Sequence, residues 1–145
     1  MIIARAPVRI SLAGGGTDIA AYYERFGGMV VSTAISRYCY VVLEPRQEDG
    51  MGISSGADKA WITWYPEKRP TFGAPLALPK AALAYFTEQG ILRENVNLFL
   101  SSEVPVGTGL GGSSAQAVAL IAALNAYTGQ TMDAQQVADL ACHLE

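Results

Sequence analysis

The sequence predicts an α+β domain on three observations. Runs rich in β-branched and aromatic residues dominate its early part, a strand followed by a long apolar helix comes later, and an amphipathic helix closes the chain. Between that strand and the apolar helix lies Pro105-Val-Gly-Thr-Gly-Leu-Gly-Gly-Ser-Ser-Ala115, with four glycines and two serines.

Each element has a local reason. Ile2 to Ala4 and Val8 to Ala13 read as strands, and Gly14 to Gly16 as a turn. Thr17 or Asp18 can cap a short helix running to Arg25, and Gly27-Gly28 breaks it. Met29 to Ile35 and Tyr38 to Leu43 read as paired strands. Arg46 to Gly56 is polar and glycine-containing, a loop or short strands, while Trp61 to Tyr65 is a strand and Pro66 to Pro75 a connection. Pro79 suits the first turn of a helix that reaches Gln89, and Gly90 stops it.

Val96 to Ser102 alternates, with Val96, Leu98 and Leu100 on one face. Ser113 to Tyr127 is apolar nearly all round, which predicts a central buried helix. Asp133 with Gln136 resembles a capping box, and Val137, Leu140, Ala141 and Leu144 follow at helical spacing. The pattern is still helical at Glu145, which reads as a truncated chain or domain.

Composition narrows the function classes. The 145 residues suit one domain, 1–145; half are apolar and 16% charged, enough for a real core. The net charge is −3 and no basic run occurs, which argues against nucleic acid as a partner. Ala115 to Leu124 is too short to cross a bilayer, and Arg5 interrupts the apolar start, unlike a signal peptide. Cys39 and Cys142 have no metal spacing and read as reduced core cysteines of a cytoplasmic protein.

The glycine-rich segment has the composition of a phosphate cradle. Glycine lets backbone amides approach an anion closely, and the first turn of the following helix offers unpaired N–H groups and the positive end of its dipole. A nucleotide polyphosphate is the expected anion. Gly107-x-Gly109-x-x-Gly112 is a literal GxGxxG, but Asp133 starts another helix and no strand-like run follows Ala126, as a dinucleotide fold requires. Gly107 and Gly112 also have Walker A spacing with Ser114 at the hydroxyl position, but Ser113 stands where the lysine belongs. A merely structural turn needs one or two glycines, not four. Ser114 Oγ suits Mg²⁺, a hard cation, although an N-terminal capping hydroxyl would look the same.

Two stretches together resemble the GHMP small-molecule kinases, a family that includes galactokinase, homoserine kinase, mevalonate kinase and the heptose-phosphate kinases. Residues Pro105 to Ala115 resemble its ATP-binding motif. Arg5-Ala-Pro-Val-Arg-Ile-Ser-Leu-Ala-Gly-Gly-Gly-Thr-Asp18 resembles its first motif, in a form similar to the heptose-phosphate kinase branch. Phe26-Gly-Gly28 and Ala34-Ile-Ser-Arg-Tyr38 strengthen that branch. The implied fold is the GHMP kinase amino-terminal domain, like domain 2 of ribosomal protein S5.

The resemblance assigns roles residue by residue. Pro105, Gly107, Thr108, Gly109, Leu110, Gly111, Gly112, Ser113, Ser114 and Ala115 would bind ATP. Ser114 and Glu145 would hold Mg²⁺, and Arg9 would assist transfer. Gly15, Gly16, Thr17 and Asp18, with Arg9, would meet the sugar. The residue chemistry agrees: an ionised aspartate accepts two sugar hydroxyls, and arginine grips phosphate with two donors. A helix cap for Asp18 and a structural ion pair for Arg9 are the plainer roles.

Galactokinase has Glu-His before Thr-Asp where this chain has Gly15-Gly16, so the pocket should be wider and suit a larger or phosphorylated sugar. Arg5 and Arg37 are further candidates for a substrate phosphate, or else surface ion pairs. Trp61, Trp64 and Tyr65 can stack on a base or sugar, or serve as core or interface aromatics. His143, the single histidine, has no supporting motif and reads as a surface or packing residue.

The resemblance implies an ATP-dependent kinase that phosphorylates the anomeric hydroxyl of a heptose 7-phosphate, with a fucose-type sugar as the alternative within the class. Its catalytic aspartate and a carboxy-terminal domain would lie beyond residue 145, so this segment alone should be inactive and expose a sticky docking face. A homodimer of the full-length protein fits the same reading. The rival class is a non-catalytic nucleotide- or sugar-binding module, or half of a split kinase.

Overall fold

A computed structural model describes residues 1–56, 60–67 and 76–145. Its elements run β1 (Ile2–Ala13), α1 (Ala20–Phe26), β2 (Val31–Pro45), β3 (Met51–Ser55), β4 (Ala60–Trp64), α2 (Ala77–Glu88), β5 (Val96–Ser102), α3 (Gly112–Tyr127) and α4 (Ala134–Leu144). The strands form one sheet in the order β1-β2-β5-β3-β4. Only the β3–β5 pair is parallel; the other three pairs are antiparallel. The parallel pair demands a crossover, and β4 with α2 provides it.

Register explains why one face is the core. Ile2, Leu43, Leu98, Ile53 and Ile62 oppose one another across the five strands, and Ala4, Val41, Leu100, Ser55 and Ala60 form the next row. Both rows face the helices; Leu43, Val41, Leu98, Leu100 and Ile53 are almost fully buried. Small residues on α3, namely Ala115, Ala117, Ala119 and Ala123, let it lie close to β1 and β2. On its other side α3 meets α2 and α4, so an apolar surface all round is what its position requires.

Several sequence expectations are corrected. The two early strands are one strand, and the runs read as Met29–Ile35 and Tyr38–Leu43 do not pair with each other: residues 31–35 and 38–43 belong to the single strand β2, which Met29 and Val30 precede. The ladder between β1 and β2 is irregular: Pro7 opposes Tyr38 and Arg9 opposes Ala34, so Val8 alone faces residues 35–37. Neither Thr17 nor Asp18 caps α1, whose N-cap is Ile19 with no side-chain bond. Cys39 is buried as expected, but Cys142 is exposed. Most of the Pro66–Pro75 connection lies outside the described residues.

Other elements match. β5 spans Val96–Ser102, α3 begins at Gly112, and the Asp133–Gln136 capping box is complete on both sides. Beyond Val8, β1 and the facing part of β2 project past the core with Ile10, Leu12 and Val31 exposed.

Candidate active site

The glycine-rich loop starts where β5 is forced to stop. The Ser102 hydroxyl donates to the Val104 carbonyl (2.8 Å) and accepts its N–H (3.2 Å), turning the chain away from the sheet. Glu103 then ties the stem to β2: its N–H donates to the Tyr38 carbonyl at 3.0 Å, and its Oε2 accepts the Tyr38 N–H at 2.8 Å. Farther on, Thr108 Oγ1 donates to the Pro105 carbonyl.

Gly107, Gly109 and Gly111 have φ of 81°, 70° and 70°, where a side chain would be strained. Gly111 is the N-cap of α3, and no side chain caps that turn. The first helical bond runs from the Ala115 N–H to the Gly111 carbonyl, so the amides of Gly112, Ser113 and Ser114 precede it and lie at the positive end of α3. A cavity of about 190 Å³ opens here, between the loop and Cys39, Ser113 and Gln116.

Ser113 and Ser114 are therefore not caps. Ser114 Oγ donates instead to Glu145 Oε2 at 2.7 Å. Packing brings them together: Asn125, near the end of α3, holds Met132 just before α4, so α4 runs back along α3 to its start. A hydroxyl and a carboxylate side by side are two hard oxygen donors. Among the described residues no cluster of three or more His, Cys, Asp or Glu could hold a metal alone. A divalent ion here would need further oxygens from a phosphate chain or water, which is usual for Mg²⁺.

Arg9 reaches the same loop from β1. Its N–H donates to the Leu110 carbonyl at 3.0 Å, and its Nη1 donates to the Gly109 carbonyl at 2.9 Å. Five residues on, the Gly14–Asp18 turn folds on itself. Asp18 Oδ1 accepts the Gly16 N–H at 2.9 Å. The Thr17 hydroxyl lies 2.7 Å from the Gly14 carbonyl and 3.0 Å from the Met29 carbonyl, either of which can take its one proton, and it accepts the Met29 N–H. A Cβ on Gly14 would land on the Met29 carbonyl, and one on Gly28 on the Thr17 carbonyl, so the two segments pack backbone to backbone. They enclose a cavity of about 390 Å³ lined by Thr17, Asp18, Tyr23, Gly28, Met29 and Val30.

The structure thus gathers Arg9 and the 105–115 residues at one place, and Thr17 and Asp18 at a cavity beyond the end of the same strand. Gly15 and Gly16 shape the turn but do not line that cavity. Tyr23, Met29 and Val30 were not singled out from the sequence; Gly28 was the available signal, since it permits the close approach rather than only ending a helix.

The remaining candidates lie elsewhere. Arg5 stacks over the Tyr38 ring at 4.6 Å. His143 is exposed in the last turn of α4. Trp64 is buried in the core, while Trp61 stands exposed on the open sheet face. That face holds a concavity of about 700 Å³ beside Arg46, Trp61 and Phe99. The buried Arg46 guanidinium there is engaged by Asn97 and Glu48.

Comparison with known proteins bears on these two sites. Residues 77–145 match the family described as GHMP kinases N terminal domain. D-glycero-alpha-D-manno-heptose 7-phosphate kinase of Campylobacter jejuni is 33% identical over 97% of this chain and 42% of its own length. L-fucokinase/L-fucose-1-P guanylyltransferase of Bacteroides fragilis is 28% identical over 97% of this chain and 17% of its own length. The crystal structure of a D-glycero-D-manno-heptose 1-phosphate kinase from Bacteroides thetaiotaomicron superposes with a TM-score of 0.90 at 22% identity, covering all of this chain and 48% of that one. The chain spans less than half the length of each.

Proposed function

We propose that this chain is the nucleotide- and sugar-binding part of an ATP-dependent sugar kinase, a reading supported by the match of residues 77–145 to the GHMP kinases N terminal domain. The observation that carries the proposal is the Ser114–Glu145 contact at the uncapped start of α3, beneath a loop whose glycines keep side chains out of the way. An anion gains there from backbone amides and the helix dipole, and a divalent cation from two oxygen donors.

The residues fit Mg²⁺ and ATP in kind. The amides of residues 107–114 would hold phosphate oxygens, and Ser114 and Glu145 would hold the ion. Mg–ATP supplies the phosphoryl group and neutralises its charge; a sugar hydroxyl accepts it. Asp18 keeps an acceptor oxygen for that sugar at the mouth of the second cavity, with Thr17 and the Gly14–Gly16 backbone shaping the turn.

The substrate class is a heptose 7-phosphate, phosphorylated at its anomeric hydroxyl. Support comes from the 33% identical heptose 7-phosphate kinase. A fucose-type sugar is the alternative, on the 28% identical relative. A cytoplasmic location follows from a phosphorylated substrate and ATP; among the described residues no helix is long and apolar enough to cross a membrane.

The test is phosphoryl transfer by the full-length protein from Mg–ATP to a panel of heptose 7-phosphate, fucose, galactose and mevalonate. A heptose phosphate preferred over the others supports the proposal. Nucleotide binding without transfer to any of them would make this a binding module.

A further inference from the structure

We infer that Arg9 is a positioning residue of the nucleotide loop: by holding two consecutive loop carbonyls, it turns the next two amides towards the anion. The inference rests on the nucleotide site proposed above and adds to it a device that sets the loop's shape.

Peptide geometry carries the argument. In a trans peptide the C=O and the following N–H point in opposite directions. Arg9 Nη1 binds the Gly109 carbonyl, so the Leu110 N–H is turned away from Arg9. The Arg9 N–H binds the Leu110 carbonyl, so the Gly111 N–H is turned away as well. Those two amides precede the free amides of Gly112, Ser113 and Ser114 without a gap, forming a continuous run of donors of the kind that cradles phosphate.

The loop needs such a hold. Added Cβ atoms at Gly107 and Gly109 would meet nothing within 4 Å, so these residues face open space on that side. A glycine-rich segment loses much conformational freedom when it is ordered. Among the described residues, the hydrogen bonds that reach Gly109 and Leu110 from outside the loop come from Arg9. At Gly111 a Cβ would lie 3.0 Å from Arg9 Cζ and 3.1 Å from Nη1, so the guanidinium rests directly against the backbone. The ladder irregularity opposite Val8 lies immediately before this contact, where the Arg9 N–H turns to the loop. β1 then runs on to the Gly14–Asp18 turn, so one strand shapes both cavities.

The experiment measures Mg–ATP affinity and separate kinetic constants for ATP and sugar in the full-length protein. Arg9→Ala should raise the Mg–ATP Kd about tenfold or more, the loss of a charge-assisted bond and its ordering effect. The sugar KM should change by less than about twofold, and kcat at saturating ATP much less than kcat/KM for ATP. Arg9→Lys, which keeps the charge but not the planar fork, should fall between. Gly111→Ala should weaken nucleotide binding too, and combining it with Arg9→Ala should cost less than the product of the single effects, because both break one contact.

Wild-type affinity in Arg9→Ala with a lowered kcat would overturn the inference and leave Arg9 acting on the reacting group. Fully multiplicative effects of Arg9→Ala and Gly111→Ala would overturn it too. A wild type that does not bind Mg–ATP removes the nucleotide site itself, a distinct failure.

Discussion

The Ser114 hydroxyl donates a 2.7 Å hydrogen bond to the Glu145 carboxylate, joining the first turn of α3 to the residue after α4. Both groups are exposed, so their mutual attraction adds little to stability. Their meeting has more consequence for ligand chemistry, since it puts a negative oxygen beside the amides of a positive helix end. That combination suits a cation bridging protein and phosphate.

The pair should therefore affect the metal more than the fold. Ser114→Ala should lower kcat about 10- to 100-fold with a small change in sugar KM. Glu145→Gln should raise the Mg²⁺ concentration needed for half-maximal activity. Kinetics run over a magnesium series check both, and an unchanged magnesium requirement in both variants would take these residues out of the metal site.

Asp18 has a different duty. Asparagine retains an oxygen for the Gly16 N–H, so Asp18→Asn should leave the turn intact and remove only the charge. The sugar KM should rise about tenfold or more, the scale of a hydrogen bond to a charged group, while the ATP KM stays put. An unchanged sugar KM in steady-state assays would reduce Asp18 to a turn residue.

Thr17 holds the same turn from inside. Thr17→Val keeps the shape but deletes the hydroxyl's donated and accepted hydrogen bonds to the Gly14 and Met29 backbone, and should cost about 1–3 kcal/mol in urea unfolding. Thr17→Ser should recover most of it. Gly28→Ala should mimic the damage, because its Cβ would land on the Thr17 carbonyl. Equal unfolding midpoints for Thr17→Val and wild type would mean that the clamp carries no stability.

How much of this was legible from sequence depends on the range of the deciding contact. β5, α3 and the Asp133–Gln136 box are set by neighbours within a few residues, and their sequence pattern sufficed. Asp18 and Thr17 looked like caps because the Met29 backbone that claims Thr17 lies twelve residues away. β1 read as two strands, Ile2 to Ala4 and Val8 to Ala13, yet pairing with β2 carries it through. The glycine-rich loop and its place between β5 and α3 were readable from composition. That Arg9 grips their carbonyls depends on the sheet placing residues a hundred positions apart side by side.

Tyr127 supplies a test of the helical layer away from both cavities. Its hydroxyl donates to Glu94 Oε1 at 2.7 Å. Burial first, then the bond to Glu94 and its negative charge, push the phenol up from 10.0 to about 12. Below pH 10 the group is protonated in both folded and unfolded chains, and its stabilising contribution is fully present. As pH rises from 10 through about 12, the unfolded chain loses its proton first, and that contribution disappears. Tyr127→Phe should therefore flatten the fall of stability across this window, read from denaturant unfolding at successive pH values. In ultraviolet titration Glu94→Gln should bring the phenol only part of the way back, because burial, the larger cause, remains. A return all the way to 10.0 would assign the whole shift to the carboxylate.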